Sequence, residues 1–328
     1  MLKVILSALL LGLLVIGGVA FGFHHFMSPV DPSNHYAVPI EVPSGSGVIA
    51  IASTLYDAGL IRHEYAFRLQ LMLNNEDVVF QAGQFYIAPS FTLNQIIAAL
   101  QTAPRQLTIT TLPGWRLEEF ADYFENMEDL INFDRSEFEN LTNGLEGQLS
   151  ANTFQVFYHI TTEDLVDMLI NQFNVDIRER FADLQATDGR DWNEILTMAS
   201  LLQREARGFE EMRIVAGLLE SRLAIGMPLQ LCATMQFCRG RTEDGRFWNP
   251  PRAQDRHLDC VYNTYRISGL PPRPISAVSP DAVEAALTPV ETDYYYFIHG
   301  NDGIVRFAST YEEHLENIER YLRQLVVE

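Results

Sequence analysis

The sequence predicts an α+β protein built as an N-terminal membrane-spanning helix, a small α+β module and a larger α+β domain. Three observations carry that expectation. Residues 4–23, VILSALLLGLLVIGGVAFGF, run without a single charge, and a helix of that length spans roughly 30 Å, the thickness of a bilayer core. Behind it, short strand-like and helical stretches follow one another closely up to residue 106. The remainder holds several helical periods and a hairpin signature near its end. With 328 residues and 47% hydrophobic content, the chain has the length for two domains with ordinary cores.

The elements follow in order. The apolar run is long for a signal-peptide core and no A-x-A site follows it, so it reads as an uncleaved anchor. Lys3 precedes it and the first charges after it, Asp31 and Glu41, are acidic, which places the N-terminus in the cytoplasm and the bulk of the chain outside. A Pro- and Ser-containing linker leads to a strand at 39–42 and a turn at Ser44-Gly45-Ser46. A helix at 48–58 stops at Gly59, a second helix covers 63–73, FQAGQFYI (80–87) alternates like a strand, and Thr92 caps a helix through 100. TITT (108–111) is strand-like, and Pro113-Gly114-Trp115 turns into a helix at 117–124. The acidic stretch 127–149 reads as helical or irregular. A helix is predicted over 161–174 with Thr162 as its cap, a longer one over 193–209, and another over 212–223. The Gly- and Pro-dense stretch 226–280 reads as irregular. A short helix at 281–287, a hairpin turning at Asn301-Asp302-Gly303 and an amphipathic helix over 312–327 close the chain.

Composition excludes some functions. A net charge of −20 leaves no basic footprint for nucleic acid. Residues 204–273 nevertheless hold 11 Arg against 8 Asp and Glu, about +3, so the rest of the chain carries about −23. Lys3 is the only lysine, so this region is all guanidinium, suited to carboxylates. Two readings stay open: pairing with surface acids, or a cleft for an anionic ligand. Of Cys232, Cys238 and Cys260, two could form a disulfide outside the cytoplasm, and spacing does not choose the pair. A zinc site from Cys232, Cys238, His257 and Cys260 would lack the tight C-x2-C pairs of common zinc modules. H-E-x-x-H, P-loop, G-x-S-x-G and G-x-G-x-x-G motifs are absent from the sequence. No metal or cofactor is implied, and His299 and His314 read as surface residues.

Glu205, in ASLLQREARG (199–208), is the residue that asks for an explanation. Ile195, Met198, Leu202 and Phe209 recur at helical steps, and Glu205 falls on their face. A carboxylate there is either paired with an arginine or sits in a cleft that keeps it protonated until chemistry needs the proton. The long loop VYNTYRISGLPPRPISAVSP (261–280), with two Tyr, an Asn and two Arg, is a second place where function could reside.

MASLLQREA (198–206), VAGLLESRLAIGMPLQ (215–230), YNTYRISGLPPRPI (262–275), LTP with YYYFI (287–298) and RFASTYEEH (306–314) resemble, in order and spacing, the YceG-like endolytic murein transglycosylases. AGQFYI (82–87), LPGWRLEEFA (112–121) and LEGQLSANTF (145–154) resemble that family's LysM-like domain and the start of its catalytic domain. The resemblance implies an anchor at 1–26 with a short cytoplasmic start, a linker at 27–38, a LysM-like domain at 39–106 and a catalytic domain at 107–328. It implies a single-pass inner-membrane lyase, without cofactor, that cuts nascent peptidoglycan between N-acetylmuramic acid and N-acetylglucosamine. The product carries a 1,6-anhydro end, and peptidoglycan synthases are the implied partners. The family's catalytic glutamate falls on Glu205, and Gln230, Asn263, Thr264 and Tyr265 fall on motif positions near the cleft. The sequence departs from the pattern in places: Leu231-Cys232-Ala233-Thr234 replaces T-D-P-T, Asn152 stands at a family aspartate, Val305 at a family histidine and Leu315 at a family asparagine. The alternative is a non-catalytic, membrane-anchored scaffold that binds peptidoglycan.

Overall fold

The computed structural model describes residues 25–34, 37–74, 79–102, 106–158 and 160–323. The proposed anchor at 4–23 lies outside the described residues. Among the described residues no helix is long and apolar enough to cross a membrane. The chain forms two compact units, Met1–Leu107 with Gln155–Ile160, and Thr108–Phe154 with Thr161–Glu328.

In the first unit, β1 (Val38–Val42), α1 (Val48–Asp57), α2 (Glu64–Asn74) and β2 (Gly83–Ile87) give a strand-helix-helix-strand order, followed by α3 (Leu93–Gln101). The strands pair antiparallel, with Val38 opposite Ile87 and Val42 opposite Gly83. Alternation puts Ile40, Val42, Phe85 and Ile87 inward, where Ile51, Leu55, Phe67 and Ile96 from the helices meet them. Thr92 starts α3 through a capping box in which its hydroxyl accepts the Gln95 N–H and the Gln95 side chain accepts the Thr92 N–H.

The larger unit is mostly helical. A two-stranded sheet pairs β3 (Gln106–Thr110) with β4 (Thr153–Phe157), and the bounds of the units fall within both strands. The helices are α4 (Leu117–Glu125), α5 (Arg135–Leu141), α6 (Thr162–Phe173), α7 (Ala182–Asp188), α8 (Trp192–Glu205), α9 (Phe209–Ala224), α10 (Cys232–Arg239), α11 (Pro280–Leu287) and α12 (Tyr311–Ile318). β5 (Tyr296–His299) and β6 (Val305–Ala308) form an antiparallel hairpin before α12.

α8 is the centre of this unit. Asp191 and Glu194 form its capping box, and every residue from Ile195 to Leu202 is buried, Thr197 and Ser200 included. A helix apolar on one stripe would leave half of these wet; packing of α9, α10 and α11 around α8 covers the remainder. The Ser200 hydroxyl is satisfied there, donating to the Thr197 carbonyl at 2.8 Å and accepting the Ile275 N–H at 3.0 Å. On α9, a Cβ at Gly217 would stand 1.9 Å from the Val290 carbonyl oxygen, so glycine permits this close approach.

Several elements differ from the sequence expectation. Where periodicity predicts one helix over 193–209, the helix ends at Glu205; Ala206 is extended, Gly208 takes φ 78° and Phe209 opens the next helix. The cap of α6 is Thr161, whose hydroxyl accepts the Asp164 N–H at 3.1 Å. Thr162 is buried and accepts the Asp134 N–H instead. The stretch 226–280 is not wholly irregular, since it contains α10 and a 3-10 turn at Ala253–His257. No side chain caps α10 at Leu231, which removes the local signal that would announce it. β4 and α7 have no counterpart in the sequence reading, and the last helix stops at Ile318, continuing as a wider π turn over Glu319–Arg323.

Candidate active site

Glu205 is the last residue of α8 and lines a cavity of about 540 Å3 within the larger unit. The opposite walls are Gln230 to Cys232 leading into α10, the Tyr265 loop, the β5 strand and α12. The carboxyl is held from one side: its Oε1 accepts the Ala233 N–H at 3.0 Å. Ala233 lies in the first turn of α10, so Glu205 supplies from a distant helix the acceptor that Leu231 cannot.

Burial raises the Glu205 carboxyl above the usual carboxylate range. The Ala233 N–H, His299 and Arg204 act in the opposite direction without cancelling it. Its place at a helix C-terminus, where the peptide dipole is negative, further disfavours the charged form. Arg204 does not pair with it: the guanidinium stacks 3.8 Å from the centre of the Trp248 ring. The open choice between an ion-paired glutamate and a cleft acid is thus resolved toward the cleft.

Among the described lining residues Glu205 is the only carboxylate. Burial and the nearby Glu205 also push the Cys232 thiol up, so it stays protonated beside the acid. Its Sγ lies 3.8 Å from the Tyr265 hydroxyl. Such a site can donate one proton to a bound ligand and take one back, with no second carboxylate among the described residues of its walls to activate water.

The structure separates the four other sequence-predicted residues. Gln230 and Tyr265 line the cavity. Gln230 holds φ 52°, the left-handed region, and is the one non-glycine residue with positive φ among those described. Asn263 and Thr264 are wholly buried behind the wall. The Asn263 amide donates to the carbonyls of Arg256 and Leu258 and accepts the Tyr265 N–H. Thr264 Oγ1 accepts the Leu231 N–H at 2.9 Å and lies 2.9 Å from the Thr234 hydroxyl. These two side chains fix the loop that presents Gln230 and Tyr265.

The histidines need correction. His299 and His314 are not surface residues; both line the cavity. His299 Nε2 is 2.8 Å from Glu211 Oε1. His314 stacks on Tyr296, its Nδ1 is buried without a partner among the described residues, and burial followed by Arg222 lowers its pKa, so the ring is neutral. The sequence signal was present in FIH and YEEH, but scattered histidines carry no spacing that joins a strand to a helix. Of the departures from the family pattern, Cys232 is on the cavity wall, and Val305 sits directly across the hairpin from His299. Asn152 turns its side chain to the Thr153 N–H and is not on that wall.

The arginine-rich segment is divided between acid pairing and the cavity wall. Arg239 pairs with Asp255, Arg246 with Asp244 and Arg241 with Asp122, while Arg222 and Arg256 line the cavity. Arg222 is buried and donates to the Tyr295 and Leu229 carbonyls. The cysteine pairing, open in the sequence, is Cys238–Cys260, with Cys232 free. That disulfide uses two of the four residues weighed for zinc.

Comparison with known proteins agrees with the motif pattern. The chain is similar to an endolytic murein transglycosylase of Bacillus subtilis (strain 168), at 30% identity over 94% of this chain and 91% of the relative. It is also similar to an endolytic murein transglycosylase of Streptococcus pneumoniae serotype 2, at 25% identity over 95% of this chain, but spans only 64% of that relative's length. The crystal structure of a YceG-like protein from Listeria monocytogenes superposes with a TM-score of 0.54 at 26% identity, covering 85% of this chain and 98% of the other. The YceG-like family profile matches residues 40–320, and the chain belongs to that family.

Proposed function

We propose that this protein is an endolytic peptidoglycan lytic transglycosylase with Glu205 as its general acid and base. The carrying observation is a carboxyl, raised by burial and alone of its kind among the described residues of the cavity wall. Neutral Glu205 donates its proton to the glycosidic oxygen between N-acetylmuramic acid and N-acetylglucosamine as the C1–O bond breaks. The C6 hydroxyl of the same muramic acid then attacks C1, and its proton passes to the Glu205 carboxylate. One bond breaks, one forms, no water is consumed and the acid is restored. The absence of a second carboxylate from the described walls favours this route over hydrolysis, and the intramolecular attack benefits from a high effective concentration.

The reading extends to a single-pass anchor at 4–23 that leaves the N-terminus in the cytoplasm and holds the enzyme beside nascent strands and their synthases. The strand-helix-helix-strand order of the first unit supports a LysM-like, glycan-holding module. Digestion of un-crosslinked glycan strands by the purified chain tests the activity. The expected fragments are lighter than hydrolysis products by one water, about 18 Da; reducing ends would point to a hydrolase. Intact strands would favour the non-catalytic scaffold.

A further inference from the structure

A groove of about 720 Å3 in the larger unit has no lining residue in common with the Glu205 cavity. It runs between α4 with the Pro113-Gly114-Trp115 turn before it and the 245–250 segment. Half-buried aromatic rings line it: Trp115, Tyr123 and Trp248, the first two with centroids 5.1 Å apart. The Trp248 indole is fixed from two directions. Its Nε1 donates to Glu119 Oε2 at 2.8 Å, the same oxygen that accepts the Arg116 N–H at 3.0 Å, and Arg204 covers one of its faces.

The acids on the lining are already satisfied. Asp122 pairs with Arg135 at 2.9 Å and with Arg241, Arg246 pairs with Asp244, and Glu119 holds Trp248. What remains for a ligand is flat apolar ring surface beside the side-chain carbonyl oxygens of Asn126 and Asn249, whose amide nitrogens already donate to the Asp122 carbonyl and to Thr242 and Asp244. That combination suits a neutral, two-faced molecule. A pyranose has such a shape: its axial C–H groups form apolar faces that lie on aromatic rings, and its hydroxyl and acetamido groups project at the edge toward hydrogen-bonding side chains. A cationic peptide would need an unpaired carboxylate here, and a phosphate would need a free guanidinium.

We infer that this groove is a second saccharide site, which holds N-acetylhexosamine units of the glycan strand outside the Glu205 cavity. The inference rests on the proposed glycan substrate. Continuity with the cavity comes from α8: Arg204, which braces Trp248, is the neighbour of Glu205 in the chain, so one helix end sets both the acid and a groove wall. A strand gripped at two places on one side chain scaffold is held along its length, which favours cutting inside the strand over trimming its ends.

The test reads binding on the full chain carrying Glu205→Gln, in detergent, by calorimetry with peptide-free oligosaccharides of alternating N-acetylglucosamine and N-acetylmuramic acid. Affinity is expected to rise from four-sugar to twelve-sugar chains. Adding Trp115→Ala, or Asn126→Trp to fill the groove from an exposed position, is expected to weaken the long chain by about tenfold and flatten that length dependence. Asn126→Trp decides the matter if Trp115→Ala does not fold. The inference is overturned if affinity does not depend on length, if folded Asn126→Trp binds the long chain as before, or if the groove matters only for strands bearing stem peptides. Failure of wild type to cleave glycan is a separate result that removes the proposed activity, because the binding series contains no turnover.

Discussion

Glu205 and Glu146 are two half-buried glutamates of the same unit, and burial raises the pKa of both. For Glu146, burial and the nearby Glu118 lift the carboxyl to about 8 against the opposing pull of Arg116 and the N–H groups of Leu117 and Gly147. Their surroundings differ. Glu205 faces an open cavity and is held by one backbone N–H. Glu146 lines neither the cavity nor the groove; Oε2 accepts the Leu117 N–H at 3.4 Å and Oε1 has no partner among the described residues. It lies between Gly144 and Gly147, where added Cβ atoms would meet Arg273 and Pro274 of the long loop. A carboxyl held neutral by burial is therefore common to a site and to a packing contact. Access to a ligand distinguishes the first, since both carboxyls have N–H partners that favour their charged forms.

The largest effect that could break this comparison is on activity. Glu205→Gln is expected to lower strand cleavage by about 10³-fold or more while glycan binding persists, read by product analysis beside calorimetry. The pH profile carries the sign: the acid must be protonated, so turnover falls as pH rises through its raised pKa, and the glutamine variant shows no such limb.

The next effect is on the wall opposite Glu205. The Cys238–Cys260 disulfide closes a separation of 22 residues between α10 and the Tyr262 loop, so Cys238→Ser with Cys260→Ser is expected to lower stability by about 3 kcal/mol. Denaturant unfolding under oxidising conditions measures it, and unchanged stability would show that the loop is held by packing alone. Thr264→Val is expected to cost about 2 kcal/mol, because the buried Leu231 N–H loses its acceptor. The same measurement checks it, and Thr264→Ser, which retains the hydroxyl, should recover most of the loss.

The smallest effect concerns Glu146. A folded pKa raised from 4.5 to about 8 means that its neutral form is favoured by folding below the unfolded pKa. That contribution is lost as pH rises from about 4.5 toward 8. Glu146→Gln should therefore flatten the fall in stability over that window, by about 1 kcal/mol after allowance for solvent screening of a half-buried group, with no comparable loss of cleavage. A loss of activity as large as that of Glu205→Gln would erase the distinction between the two glutamates.

Much of the first unit was legible because its signals are local. Alternation in the second strand, the Thr92 cap and Gly59 after α1 each describe a residue's effect on its own segment. The hairpin was legible from Asn301-Asp302-Gly303 for the same reason. α10 was hidden because its helix lacks a side-chain cap and stands between Pro- and Gly-rich stretches. The overlong 193–209 helix arose because Phe209 continues the apolar period across a break made by Ala206 and Gly208.

By itself the sequence determined that Glu205 lies on the apolar face of a helix and which family pattern these segments follow. Those properties depend on spacing along one segment. Tertiary structure decided the rest: Ala233 donates to the acid across 28 positions, His299 and His314 join it from a strand and a helix, Asn263 and Thr264 turn inward, and Cys238 finds Cys260. The physical reason is that periodicity fixes which side of its own element a residue faces. Which partner waits there, and whether water or a ligand can reach it, is set by how the elements pack.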